Sequence, residues 1–387
     1  MLFRSDSFIL NFLTGEDFRF LKESGVNLLR VPFSYHLFID DENPHTYKEE
    51  GFRYLDRLLA LCREYEIFLM PDLHTTPGGQ NPDWHSDNMT GVPQFWHFRI
   101  FQEQIRDLWR AIAERYKEEP FLLGYDLLNE PFLMPKKEGV LNAFLEEVTK
   151  AVREVDPNHI IFIEGDFFSM DFTDIRLPRD EQTALTFHFY PTVWDKDLMN
   201  KDYDAAERIR KMDEQLGGFA ALRDTFNRPA LCGEAGVDIK KEDLPFTMQL
   251  LDETLGLFQK HSLSWTLWSY KDAQWMGLAY PGSHTGWMKL ASRIREKWSH
   301  YGQMQIADEI MEEMGRRYTG PISRELKYEL QFQLRGVLYR MEEEYILKPA
   351  LQEFTRDEIM AMPESFRFEN CEFYEEYREL LKRYSWK

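Results

Sequence analysis

Short apolar runs alternate with amphipathic stretches along the first three quarters of the chain. VNLLRVPF (26–33) precedes a segment over 51–65 in which Phe52, Leu55, Leu58, Leu59, Cys62 and Tyr65 share one helical face. IFLMPDLH (67–74) precedes a second such face, with Ile105, Leu108, Trp109, Ile112 and Tyr116 predicting a helix over 101–116. LLGYDLLNEP (122–131) precedes a third, carrying Phe144, Leu145, Val148, Ala151 and Val152. After the turn signal Asp156-Pro157-Asn158 come HIIFIEG (159–165), TALTFHFY (183–190), PALCGEAG (229–236) and SWTLWSYK (264–271). Each run is almost continuously apolar and ends in polar or glycine-rich sequence, as strands buried on both faces do. The alternation predicts an α/β fold, a (β/α)8 TIM-type barrel, whose function sits at the C-terminal strand ends.

An eighth strand should precede these seven. Thr14 to Gly25 instead predicts a helix, with Thr14 as N-cap, Asp17 at the third position, Leu13 and Phe18 as a hydrophobic staple and Gly25 as the stop. Either SFILNFL (7–13) is a makeshift first strand or the first strand is absent. Beyond residue 301 the alternation gives way to charged helical sequence. There Leu330, Leu334, Val337, Leu338, Met341 and Tyr345 trace one apolar stripe, and Thr355 with Glu358 forms a capping box. The expected organisation is a barrel over 1–300 and a helical C-terminal extension over 301–387 packed on it.

The net charge of -20, from 47 basic and 67 acidic residues, disfavours nucleic acid and anionic membranes as partners and suits a neutral substrate. Three scattered cysteines, Cys62, Cys232 and Cys371, and the lack of a His-x-His or HExxH cluster give no reason to expect a metal or other cofactor. No stretch is apolar for the roughly 20 residues that a membrane-spanning helix needs. The opening MLFRSDSFILNF has no export-signal pattern, so the expected location is the cytoplasm, with secretion left open if the N-terminus is truncated.

Among the acids, the informative filter is position at a predicted strand end, which leaves Asp72, Glu130, Glu164, Asp166, Glu234 and Asp272. Pro131 cannot continue a central strand, so Glu130 is placed at the rim beside Asn129, and glycines flank Glu234 in Gly-Glu-Ala-Gly. Two glutamates at the ends of the fourth and seventh strands suit acetal hydrolysis: one protonates the leaving oxygen and the other attacks or stabilises the oxocarbenium-like centre.

The chain resembles glycoside hydrolase family 5 over roughly 7–300. The resemblance rests on Arg30 in LLRVPF, His74 in PDLH, Asn129 and Glu130 in LLNEP, His188 and Tyr190 in FHFYP, Glu234 in CGEAG and Trp268 in TLWSYK. It implies a retaining β-glycosidase with Glu130 as acid/base and Glu234 as nucleophile. Arg30, His74, Asn129, His188, Tyr190 and Trp268 would bind substrate or tune the carboxylates. Glu130 is then expected to have a raised pKa, and Glu234 to be held ionised by Arg30 and Tyr190. Asn129 would meet the sugar 2-hydroxyl, and Trp268 would offer a ring face.

The long segment 75–97 could wall off one end of the cleft, with Trp84, Trp96, Trp194 and Trp275 as candidate sugar platforms. The resemblance lies nearest the exo-β-glucanase and β-glucosidase branch. Endo-β-1,4-glucanase and mannanase activities are alternatives, as is a sugar-binding barrel without turnover. An open barrel edge would also suit a homo-oligomer covering the gap.

Overall fold

The computed structural model describes residues 6–298, 303–318, 320 and 322–385. The expected 300/301 boundary and the side chain of Trp194 lie outside the described residues. Among the described residues the central sheet has seven parallel strands. They are β1 (Leu28–Ser34), β2 (Phe68–Thr75), β3 (Gly124–Asp126), β4 (Ile160–Glu164), β5 (Thr183–Phe189), β6 (Ala230–Ala235) and β7 (Ser264–Trp265), paired in chain order. Register places Pro32 opposite Asp72, Asp72 opposite Asp126, and His188 opposite Glu234, with a bulge between Phe187 and His188.

Helices alternate with the strands, as the periodicity predicts: α3 (Glu49–Tyr65), α4 (Arg99–Tyr116), α5 (Val140–Arg153), α6 (Ala205–Ala220) and α7 (Leu244–Lys260) follow two N-terminal helices, α1 (Asp6–Phe12) and α2 (Gly15–Glu23). Trp109 and Phe144 are fully buried between helices and sheet, while Met70, Phe162, Ala184 and Leu231 fill the barrel interior. Burying a side chain of this size contributes roughly 1.5–3 kcal/mol.

The segment expected as a makeshift first strand is helical instead, with alternating Phe8 and Phe12 rings turned onto Phe366. Consequently β1 and β7 are not hydrogen-bonded to each other, and the sheet is a barrel with an open seam. Side chains bridge the gap. Lys271, just beyond β7, and Asp17 of α2 form a fully buried ion pair at 2.6 Å. The Lys271 ammonium also donates to the carbonyls of Phe12 and Phe366, and the Tyr270 hydroxyl donates to Asp17 at 2.7 Å. The other Asp17 oxygen completes the predicted capping box, accepting from the Thr14 backbone N–H and hydroxyl, each at 2.7 Å. Thr14→Ala is therefore expected to cost about 1 kcal/mol in urea unfolding. An unchanged midpoint would show that the cap contributes nothing.

The last helix, α11 (Glu375–Tyr384), covers the seam from outside. Its Arg378 donates to Ser24 beyond α2 at 3.0 Å, and the Tyr384 hydroxyl to Asp252 of α7 at 2.7 Å. Behind it lies a cavity of 440 Å³ lined by Leu28, Leu123, Phe162, Leu231, Trp265 and Tyr377.

Between β7 and α11 the chain forms α8 (Gly286–Trp298), α9 (Gln303–Arg317) and α10 (Arg324–Glu342). The expected apolar stripe is largely turned outward, with Val337 55% and Tyr345 74% exposed. Of that stripe Leu338 is buried, and with it α10 buries Phe332, Arg335 and Gly336, which lie outside the predicted face. The reason is its partner: Phe332 packs with Phe132 and Phe168 at the barrel mouth, and a Cβ at Gly336 would lie 2.8 Å from the Met89 carbonyl. The loop from Thr76 to Phe98 is thus clamped between barrel and α10. Within it Trp96 is buried and donates to the Gln80 carbonyl, which makes it packing rather than a platform. The Asn88 amide donates to two backbone carbonyls and is buried.

Candidate active site

Arg30 on β1 projects into the barrel mouth, where it gathers acids from four other strands or strand ends. Its Nε donates to Asp126 at 2.7 Å, Nη1 to Glu234 at 2.6 Å, and Nη2 to Asn129 at 2.8 Å and Glu164 at 3.0 Å. Asp72 lies 3.2 Å from Nη2. Burial works against the charge of Arg30, but Asp72, Asp126, Glu234 and Glu164 together outweigh it and raise its pKa. Burial and Glu164 push the Asp126 carboxyl well up, against Arg30. Asp72, Asp126 and Glu164 converge closely enough to hold a cation, and the guanidinium is that cation.

Glu130 follows β3 in a left-handed conformation, φ 47°, which a non-glycine residue adopts at a cost of about 1–3 kcal/mol. Surrounding contacts hold it there: its backbone N–H donates to Glu164 at 2.6 Å, and Glu164 also accepts from the Ser169 hydroxyl. The side chain is gripped at both oxygens. His188 Nδ1 lies 2.6 Å from Oε1 and His85 Nε2 lies 2.8 Å from Oε2.

Glu234 has different partners. One oxygen accepts from Arg30 and the other from the Tyr190 hydroxyl at 2.8 Å. Burial, then Glu234 and Glu130, raise the pKa of Tyr190, so that it remains a donor. His74 Nδ1 lies 2.7 Å from Asp72 Oδ2, and the ring stacks on Trp268 with centroids 5.5 Å apart and 12° between planes. Trp268 itself is half-buried, leaving part of its ring open, and the side-chain Nδ2 of Asn129 is buried without a protein partner.

The structure therefore brings Arg30, His74, Asn129, Glu130, His188, Tyr190, Glu234 and Trp268 into one mouth. The expectation of a raised Glu130 carboxyl is corrected. Burial pushes it up, but hydrogen bonds and charge from His188 and His85 prevail and hold it below the usual range. His85 was outside the strand-end filter because it sits eleven residues into the loop chain after His74, where no periodicity marks it. Its imidazole is brought to the mouth by Asn81, whose amide donates to the Glu130 carbonyl at 3.0 Å. Trp84 and Trp275 are each 49% exposed, and the Trp275 indole N–H is engaged by Asp238.

Such a mouth offers a paired carboxylate site with fixed donors and an aromatic face, which suits a sugar. Comparison with known proteins agrees. The chain is 31% identical to a beta-xylosidase of Phanerodontia chrysosporium, over 95% of this chain and 82% of that protein. It is 25% identical to endoglucanase C of Acetivibrio thermocellus, over 67% of this chain and 84% of that protein. The fold matches that of Thermotoga maritima Cel5A, solved in complex with cellobiose, with a TM-score of 0.58 at 19% identity over 69% of this chain and 85% of that one. The family model described as Cellulase (glycosyl hydrolase family 5) matches residues 6–274, and the chain belongs to that family of glycosidases.

Proposed function

We propose that this glycosidase cleaves β-glucosidic bonds with retention of configuration, Glu130 acting as acid/base and Glu234 as nucleophile. The observation that carries the reading is the closeness of the two groups: a carboxylate oxygen of each, with a ring nitrogen of His188, lie within 4.8 Å of one another. An inverting pair stands about 6.5–9.5 Å apart to admit water, and a retaining pair about 5–5.5 Å. In the first step Glu234 attacks C1 while Glu130 gives its proton to the departing oxygen. In the second, water adds to C1, its proton goes to Glu130, and Glu234 is released. Arg30 and Tyr190 keep Glu234 charged and oriented, Asn129 offers its free N–H to the 2-hydroxyl, and Trp268 supports the apolar sugar face.

Exo action on short gluco-oligosaccharides is supported by the clamped Thr76–Phe98 loop, which α10 holds against the mouth as a fixed wall. The relationship to a beta-xylosidase makes a β-xyloside the second substrate class to test. For location, no helix among the described residues is long and apolar enough to cross a membrane.

The test is a hydrolysis panel of aryl β-glucoside, β-xyloside and β-cellobioside with laminari-, cello- and manno-oligosaccharides, with the first-formed anomer read by NMR. The expected product is the β-anomer, with Glu130→Gln reducing turnover about 10²–10⁴-fold on substrates with poor leaving groups. An α-anomer formed first, or full activity in Glu130→Gln, would overturn the assignment. Binding without any turnover would indicate a lectin-like barrel.

A further inference from the structure

The second histidine at Glu130 has a distinctive setting. His85 Nε2 stands between a donor and an acceptor: the Asn81 amide nitrogen at 2.9 Å and Glu130 Oε2 at 2.8 Å. The Asn81 orientation is fixed, because its oxygen accepts from the Asp83 N–H at 3.0 Å and its nitrogen also donates to the Glu130 carbonyl. Unprotonated, Nε2 accepts from Asn81; protonated, it donates to Glu130. The 2.8 Å contact to Glu130 is a hydrogen bond wherever the proton sits, donated by Nε2 when the ring holds it and by Glu130 Oε2 when the carboxyl does, so the proton can change owner without moving a side chain.

Around the ring stand Glu130 and, 3.9 Å from Nδ1, Asp83, which is itself paired with Arg335 of α10 at 3.0 Å. The His74 ring is 6.0 Å away, centroid to centroid, Phe168 closes the remaining side at 6.0 Å, and Glu234 contributes its charge from across the mouth. Arg335 is buried, so Asp83 is held by a contact that belongs to the C-terminal helices rather than to the barrel.

We infer that His85 is a positioning residue that holds the acid's proton for Glu130, anchored through Asp83 to Arg335 of the C-terminal extension. The inference rests on Glu130 being the acid/base. During cleavage the single shared proton, held on His85 Nε2, passes through Glu130 to the glycosidic oxygen as the C1–O bond breaks, which leaves Glu130 ionised and the imidazole neutral. When water then attacks the glycosyl-enzyme, its proton returns through Glu130 to Nε2, and its hydroxyl stays on C1. No proton is gained or lost over the cycle beyond those of the water consumed. Burial opposes a charge on His85, but Glu130, Asp83 and Glu234 prevail and raise its pKa, so the pair keeps its shared proton above the range where Glu130 alone would lose it. Without the imidazole the alkaline limb of kcat/KM should move to lower pH.

The experiment compares wild-type, His85→Gln and His85→Asn on two β-glucosides, one with a poor alkyl leaving group and one with dinitrophenolate, which departs unprotonated. Expected for both variants is a loss of about 10–100-fold in kcat/KM on the alkyl glucoside, smaller than the loss of the acid itself, and an alkaline limb lowered by about one unit or more. The kcat/KM on dinitrophenyl glucoside, which reports the glycosylation step without acid assistance and an intact fold, should fall less than about threefold. Equal losses on both substrates, or an unmoved alkaline limb, would overturn the role. Glu130→Ala tests the underlying assignment separately: its kcat/KM should fall far more on the alkyl glucoside than on dinitrophenyl glucoside, its kcat should fall on both for want of a base, and azide should restore turnover and yield β-glucosyl azide. Failure there overturns both readings, whereas success with a negative His85 result overturns only the relay.

Discussion

Replacing Glu234 with alanine is expected to lower kcat on every substrate, activated or not, by on the order of 10⁴-fold. No leaving group compensates for a missing nucleophile, because the C1–O bond to the enzyme cannot form. The side chain is small in its contribution to packing, and its loss relieves Arg30 of only one of four carboxylates, so the variant should remain folded. Azide added to Glu234→Ala should enter the vacated space and attack C1 from that face. The C1–N bond forms as the C1–O bond breaks, Glu130 supplies the proton to the leaving oxygen, and α-glucosyl azide accumulates. A β-azide, or a variant with more than about a hundredth of wild-type turnover, would contradict the nucleophile assignment. The opposite stereochemistry expected for Glu130→Ala with azide separates the two glutamates in one assay.

The second large effect concerns stability. Arg30→Met should cost about 3–5 kcal/mol at pH 7, because the guanidinium is the cation that Asp72, Asp126, Glu164 and Glu234 share in a mouth where its own side chain is 3% exposed. The gap should narrow on acidification. Burial and Glu164 already hold Asp126 above its ordinary range, and losing Arg30 removes the main opposing influence. The folded variant then binds protons that the unfolded chain releases, so its stability rises as pH falls towards about 5. Urea unfolding of wild-type and variant at the two pH values measures this. A gap below about 1 kcal/mol at pH 7, or one that widens in acid, would show that Arg30 does not neutralise the cluster.

The strand ends were legible because strands buried on both faces leave continuous apolar runs, and their polar termini stand out against them. Glu130, His188 and Glu234 sit at or next to such termini, and Arg30 stands out as the one charge inside its run. His85 does neither. Its approach to Glu130 depends on a long loop folding back through Asn81 and Gln80, the latter donating to the His74 and Asn129 carbonyls. Nothing in local periodicity encodes that return. For the same reason the downward shift of Glu130 was hidden: a carboxyl in an apolar mouth is expected to rise, and the imidazoles of His188 and His85 together reverse the sign. In α10 the pattern announced an apolar face but not the buried one. The barrel mouth offers Phe132, Phe168 and the Met89 carbonyl, which select Phe332 and Gly336, and Arg335 follows them inward to meet Asp83. The open seam was foreseen as an alternative, whereas the Asp17–Lys271 bridge across it required the three-dimensional proximity of two distant charges.

That bridge has a consequence for the birth of the molecule. Asp17 and Lys271 are 254 residues apart, and translation at about 5–20 residues per second separates their appearance by roughly 13–50 s. For most of that interval β1 has been made, yet neither the lysine that ties its neighbouring helix nor α11, which roofs the seam, exists. The nascent chain thus carries an uncovered strand edge on the ribosome until α11 has been made, and chaperone occupancy during synthesis should fall only after Lys271 and α11 leave the exit tunnel.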